Sequence, residues 1–193
     1  MTLLKDIFYG VRLLSVSGNT RFMKNHVHFD SRQVQMDDVF VAIDGVTVDG
    51  HQFIGKAVES GALAVVCETL PEILVNGVTY LQVRNCQAAL AVMASNFYGT
   101  PSKNLKLVGV TGTNGKTTIT TLLYQLFKNA GYKVGLISTI KILVDDEVRP
   151  ATHTTPDAMT INENLALMNA AGVEYCFMEV SSHGIAQKRT EGL

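Results

Sequence analysis

The stretch 109-GVTGTNGKTT-118 decides how the chain folds. Its end, Gly115-Lys116-Thr117, closes the phosphate-loop signature G-x-x-x-x-G-K-[ST], but Val110 stands where that signature has its first glycine. The physical ingredients of anion binding are nevertheless present. The apolar run KLVGV delivers the chain, and Gly112 and Gly115 let backbone N–H groups close around an anion. A helix beginning near Lys116 aims its positive end at the same point. Lys116 can then meet terminal phosphates, and the Thr117 hydroxyl can bind Mg²⁺. On spacing alone an ordinary strand–turn–helix remains the plain alternative.

Downstream, KVGLIS (133–138) reads as a second apolar strand and KILVDDEVR (141–149) as a hairpin around Asp145 and Asp146. A helix follows TTPD (154–157) and runs to Gly172, and EYCFMEV (174–180) is a third buried strand. Alternation of apolar strands with helices predicts a parallel sheet covered on both faces. Glu179 ends the third strand, and a carboxylate there needs a cation or hydrogen-bond donors. In a P-loop fold that place belongs to a metal-holding acid. SSHG (181–184) puts hydroxyls and an imidazole on the edge where open α/β sheets bind ligands. Arg189 is either on a solvated helix face or a cation suited to an anionic peptide or phosphate. The chain stops soon after the third strand, as if cut through a domain.

Upstream, Leu3, Leu4, Ile7, Phe8, Val11 and Leu14 recur at helical spacing. HVHFD (26–30) and DVFVAI (38–43) read as short strands, and HQFIGKAVESG (51–61) as a helix closed by Gly61. ALAVVCE (62–68) and VTYLQV (78–83) are further strands. Residues 85–99 form a helix capped by Asn85 and ended by Gly99. GTPSKN (99–104) marks a connection, so the expected domains are 1–99 and 105–193, the second truncated. FDSR (29–32) is by itself a turn with a salt-bridging Arg32, and VDGH (48–51) a tight turn. His26, His28 and His51 have no metal spacing and read as surface or satisfied positions.

The 193 residues are 47% hydrophobic, enough to pack two cores, and a net charge of −1 removes any bulk electrostatic case for nucleic acid or anionic membrane. Three cysteines without metal spacing read as buried reduced thiols. The N-terminus lacks a secretory pattern, and no apolar run approaches the ~18 residues of a membrane span, so a cytoplasmic location without membrane insertion is expected.

TGTNGKTT, TTPD and MEVSSHGIAQKR together resemble the Mur ligases, the ATP-dependent amino-acid-adding enzymes of peptidoglycan synthesis. These use a P-loop centred on G-T-N-G-K-[ST], so Val110 fits that family's own pattern. DSRQVQMDDVFVAIDGVTVDGHQFI resembles the family's uridine-nucleotide domain, and EVSSHG sets apart the branch that adds a diamino acid. The resemblance implies an α/β fold, with a small UDP-substrate domain followed by the first part of a P-loop ATPase-like domain. It implies ATP and Mg²⁺, UDP-MurNAc-L-Ala-D-Glu and a diamino acid as partners, an acyl phosphate, and a monomeric full-length enzyme. Lys116 would be catalytic. Gly112, Thr113, Asn114, Gly115, Lys116, Thr117 and Thr118 would bind ATP, while Thr117 and Glu179 would hold the metal. Phe29, Ser31, Val46, Thr47 and Val48 match UDP-contacting positions; Thr154, Thr155, Ser181, Gln187 and Arg189 match positions holding the muramoyl-peptide. His153 stands where relatives carry asparagine and is carried over only weakly. A MurF-type or folylpolyglutamate-synthase-type ligase, or a non-catalytic nucleotide-binding module, are the other readings.

Overall fold

A computed structural model of the chain describes residues 2–21, 23–24 and 26–193. It divides into two compact units, Met1–Asn96 and Phe97–Leu193.

The first unit holds β1 (Thr2–Leu3), α1 (Leu4–Ile7), β2 (Leu13–Ser17), β3 (Met23–Lys24), β4 (Val27–His28), β5 (Val39–Val41), α2 (Ile54–Glu59), β6 (Ala64–Cys67), β7 (Thr79–Val83) and α3 (Cys86–Phe97). Its main sheet has the order β2-β7-β6-β5-β4, parallel from β7 to β4, with β2 antiparallel at one edge. β5 and β6 are buried along their whole length, as continuous apolar runs between two layers must be. Val34, Phe40, Ile54, Ala57, Val65, Cys67 and Tyr80 close one core. Asn85 caps α3 by accepting from Ala88 N at 2.7 Å.

The helical reading of residues 3–14 is corrected. The helix covers only Leu4–Ile7, which bury Leu4 and Ile7, and Leu13–Ser17 is a strand. Gly10 breaks the helix with φ +81°, and Leu14 then lies exposed on β2 rather than on a helix's inner face. The apolar spacing was real, but it spanned two elements.

The second unit contains β8 (Lys106–Val110), α4 (Lys116–Asn129), β9 (Val134–Ile137), β10 (Lys141–Val144), β11 (Glu147–Pro150), α5 (Ala158–Ala170), β12 (Tyr175–Glu179) and α6 (Ser182–Ala186). The order is β11-β10-β9-β12-β8. β8, β12 and β9 are parallel, and the β10–β11 hairpin adds two antiparallel strands. Asp157 starts α5 by accepting from Thr160 N at 3.0 Å.

β12 is central, and its side chains alternate between two cores. Cys176 and Met178 pack with Ile161, Leu165 and Met168 of α5. Phe177 packs on the other side with Tyr124 of α4, with Tyr175 beside it. Gly135 lets α5 press on β9, since a Cβ there would sit 2.4 Å from Met168 Sδ. Cover on both faces, expected for the whole sheet, fails at β8, where Lys106 and Val108 are exposed. Ile119, Leu122 and Leu126, spaced along one face of α4, are exposed as well.

Candidate functional site

β8 ends at Val110, directly beside Glu179 of β12, and Val180 N donates to Val110 O at 2.8 Å. Two strand tips therefore open onto one place, with α4 rising from it. Gly112 and Gly115 have φ +148° and +80°, conformations that side-chain-bearing residues resist, and Gly115 is the residue before the first helical position. Thr113, Asn114 and Thr118 are exposed around this turn. Lys116 Nζ donates to Gly112 O at 2.7 Å and to Thr113 O at 3.4 Å, so its ammonium lies over the loop.

Glu179 is 1% exposed and is held from three directions. Its Oε2 accepts from Thr117 Oγ1 at 3.0 Å and from Thr139 Oγ1 at 3.1 Å; its Oε1 accepts from Thr139 N at 2.9 Å. Thr139 Oγ1 also lies 3.1 Å from Thr154 Oγ1, and since its single proton serves the carboxylate, Thr154 donates to it. Three donors thus converge on one buried carboxylate. Thr139 was missed in the sequence. The only signal for it is its place just past the end of β9, beside the tip of β12.

The donor set also fits a hard divalent cation. Two adjacent oxygen ligands of an octahedral Mg²⁺ at ~2.1 Å lie about 3.0 Å apart, which is the separation of Thr117 Oγ1 and Glu179 Oε2.

Behind Glu179 the chain is fixed by Thr155. Its hydroxyl donates to Glu179 O and accepts from Ser181 N, both at 2.9 Å. Ser181 caps α6 through Gly184 N at 3.1 Å, and Gly184 passes so close to Thr155 that a Cβ would lie 2.8 Å from Thr155 Cγ2. Arg189 donates to Thr155 O, and through Nε and Nη2 to Gln187 Oε1 at 2.9 and 2.6 Å. It lies beyond the end of α6 and is committed to this corner, so it is not a cation on a solvated helix face. Thr154, Thr155, Ser181, Gln187 and Arg189 thus gather around the Glu179 tip. His183 and His153 are exposed; His153 Nδ1 lies 3.1 Å from Thr152 Oγ1.

In the first unit, the two segments 29–31 and 46–48 follow β4 and β5. These are adjacent parallel strands, so both segments leave from the same edge. Phe29, Val46, Thr47 and Val48 are exposed, Val46 by 88%, whereas Ser31 is buried. Gly45 N donates to Val48 O at 3.1 Å and shapes the second segment. Asp49 accepts from His51 N at 2.9 Å, the tight turn expected there. His51 Nε2 accepts from Glu68 N at 2.9 Å, so it is a satisfied structural histidine. Arg32 pairs with Asp30 at 2.7 Å, and its guanidinium holds the Asp30 carboxyl down to about 2.

No helix among the described residues is long and apolar enough to cross a membrane. Residues 110–193 match the family model described as the Mur ligase middle domain, and residues 25–98 that described as the Mur ligase family, catalytic domain. A UDP-N-acetylmuramoyl-L-alanyl-D-glutamate–2,6-diaminopimelate ligase of Cytophaga hutchinsonii is 53% identical over 191 residues, 98% of this chain and 39% of the relative. The chain therefore spans well under half the length of that relative. A solved structure of a UDP-N-acetylmuramoyl-L-alanyl-D-glutamate–2,6-diaminopimelate ligase superimposes with a TM-score of 0.76 at 25% identity, over 100% of this chain and 38% of the other. The Thermotoga maritima MurF ligase in complex with ADP matches with a TM-score of 0.51 at 26% identity, over 82% of this chain and 32% of the other. With two family models laid end to end on its two units, the chain belongs to the Mur ligase family.

Proposed function

We propose that the chain is part of a MurE-like ATP-dependent ligase. The reaction is addition of a diamino acid, 2,6-diaminopimelate by the relatives' names, to UDP-MurNAc-L-Ala-D-Glu. The observation that carries this is the buried Glu179 carboxylate hydrogen-bonded to Thr117 of the glycine loop, at the spacing of two ligands on one magnesium ion. That the similar Thermotoga MurF ligase was solved in complex with ADP supports an adenine nucleotide as the ligand.

The chemistry requires phosphoryl transfer from ATP to the D-glutamate carboxylate, followed by attack of an amine on the acyl phosphate. The first step brings two anions together. Loop N–H groups at 112–116 and the N-terminus of α4 supply fixed positive potential where that charge gathers. Lys116 exchanges its loop carbonyls for phosphate oxygens and holds the transferred group in line. Thr117 and Glu179 would hold Mg²⁺, which neutralises charge on the phosphates. Thr154 and Ser181 offer hydroxyls beside that point, and Arg189 keeps their loops in place, with two unused N–H donors for an anionic peptide. Phe29, Ser31, Val46, Thr47 and Val48 form the UDP end, with exposed apolar side chains to cover the uracil and ribose. We assign the unit Met1–Asn96 to UDP-substrate binding and the unit Phe97–Leu193 to ATP on this basis, and place the enzyme in the cytoplasm as a monomer.

Lys116→Ala in the enzyme containing this chain tests the reading. Turnover should fall roughly 10²-fold or more, as for loss of a transition-state donor, while UDP-MurNAc-dipeptide affinity holds. Near-normal kcat would refute the assignment. Loss of nucleotide binding in a protein that never made product would favour a non-catalytic module.

A further inference from the structure

Outside the nucleotide corner, the first unit gathers a second set of ligand-type side chains. His26 and His28 are two residues apart on extended chain, so their imidazoles fall on one side of it. β5 pairs in parallel with β4, Val27 against Val39, and Val39 N donates to His26 O at 2.9 Å. That pairing brings Asp38, the residue before β5, up against both rings. Asp38 Oδ1 lies 3.6 Å from His26 Nδ1 and Oδ2 lies 3.4 Å from His28 Nε2. The three donor atoms all fall within 4.8 Å of one another.

The two nitrogen–oxygen separations, one to each carboxylate oxygen, are close to those within a coordination sphere. Ligands ~2.1 Å from a tetrahedral Zn²⁺ lie about 3.4 Å apart. The carboxylate is oriented in advance, as ligating carboxylates are, because Oδ1 accepts from His26 N at 2.9 Å and Oδ2 from Gln35 N at 2.8 Å. Access is graded. The Asp38 side chain is 1% exposed, His28 23% and His26 68%, so an ion can enter from the His26 side and keep a solvent-facing position. Two imidazoles and one carboxylate suit Zn²⁺ and its first-row neighbours and disfavour Mg²⁺, which prefers oxygen alone.

We propose that His26, His28 and Asp38 form a binding site for a first-row divalent transition-metal ion, Zn²⁺ above all, separate from the Thr117–Glu179 pair. The ion would clip β4 to the start of β5. His28 immediately precedes Phe29, so the clip also steadies the segment carrying Phe29 and Ser31. No individual pair spacing in the sequence showed this, because the third ligand lies ten residues beyond His28.

The test uses the whole 193-residue chain. Calorimetric titration with Zn²⁺ alone should give one ion per chain, and Co²⁺ should give the visible absorption of a low-symmetry site. His28→Gln and His26→Gln, each checked by circular dichroism for native fold, should each weaken Zn²⁺ binding at least as much as the roughly 10- to 100-fold that loss of an outer-shell partner costs. Asp38→Asn, which keeps one carbonyl acceptor, should do the same. The double variant His153→Gln/His183→Gln should bind as the unaltered chain does. Absence of Zn²⁺ binding at micromolar concentration overturns the proposal, as does unchanged affinity in a folded His28→Gln protein; either result leaves the cluster as a plain histidine–aspartate contact.

Discussion

Thr155→Val measures how firmly the Glu179 tip is built. Threonine and valine have nearly the same shape, so the change removes chiefly the hydroxyl. That hydroxyl bridges two backbone groups, Glu179 O and Ser181 N, at 2.9 Å each. Glu179 is buried, so its carbonyl would lose a partner that water cannot readily replace, at about 1–3 kcal/mol. Ser181 is half-buried, and water can recover part of the loss at its N–H. The two losses together come to about 2–4 kcal/mol. The assay is urea unfolding by circular dichroism, because the chain has no tryptophan to report by fluorescence. Hydrogen exchange over 179–189 should accelerate together, since α6 and Arg189 hang from the same residue. Thr155→Ser keeps the hydroxyl and loses a methyl, costing about 0.5–1.5 kcal/mol. A valine variant within about 0.5 kcal/mol of the parent, or a serine variant equally damaged, would refute the bridging role.

Ser31→Ala should weaken UDP-MurNAc-dipeptide binding by about 1–2 kcal/mol and leave ATP binding alone; calorimetry showing no change makes Ser31 a turn residue only. The Asp30 carboxyl, held at about 2 by Arg32 against an ordinary 3.8, favours the folded state above pH 3.8 and loses that contribution as pH falls toward 2. The difference in unfolding midpoint between the chain and Asp30→Asn should therefore be steady from neutral pH to about 4 and shrink below; a difference that grows on acidification contradicts the pairing. The exposed Ile119, Leu122 and Leu126 on α4 should make the isolated chain self-associate with rising concentration, and Leu122→Glu/Leu126→Glu should reduce it in sedimentation velocity. A parent chain that stays monomeric at high concentration would show that this face is not adhesive.

The sequence carried the second unit further than the first. A glycine loop between an apolar strand and a helix leaves few arrangements, and Asn85, Asp157, Gly61 and Gly172 marked helix ends where the helices do end. Glu179 was legible because an acid closing an apolar strand is chemically conspicuous. Thr139 was not, since one threonine after a strand has no period or spacing to betray it. Residues 3–14 misled for the opposite reason: a short helix and a strand shared one apolar rhythm, and only the positive φ of Gly10 separates them. Asp38 could not be joined to His26 and His28 until the pairing of β4 with β5 was in hand.

The alternation of β12 has a consequence for how this protein can change over time. Glu179 has the same parity as Phe177 and Tyr175, which face α4, and the opposite parity to Cys176 and Met178, which face α5. Its meeting with Thr117 depends on that odd count. Losing or gaining a single codon within 175–179 would turn the carboxylate toward α5, away from the loop, and would push the residues behind it to the wrong layer as well. Substitution can vary this strand one side chain at a time, but its length is tolerant only of changes in steps of two. The strand therefore behaves like a reading frame, and drift in this part of the gene should accumulate as replacements rather than as insertions or deletions.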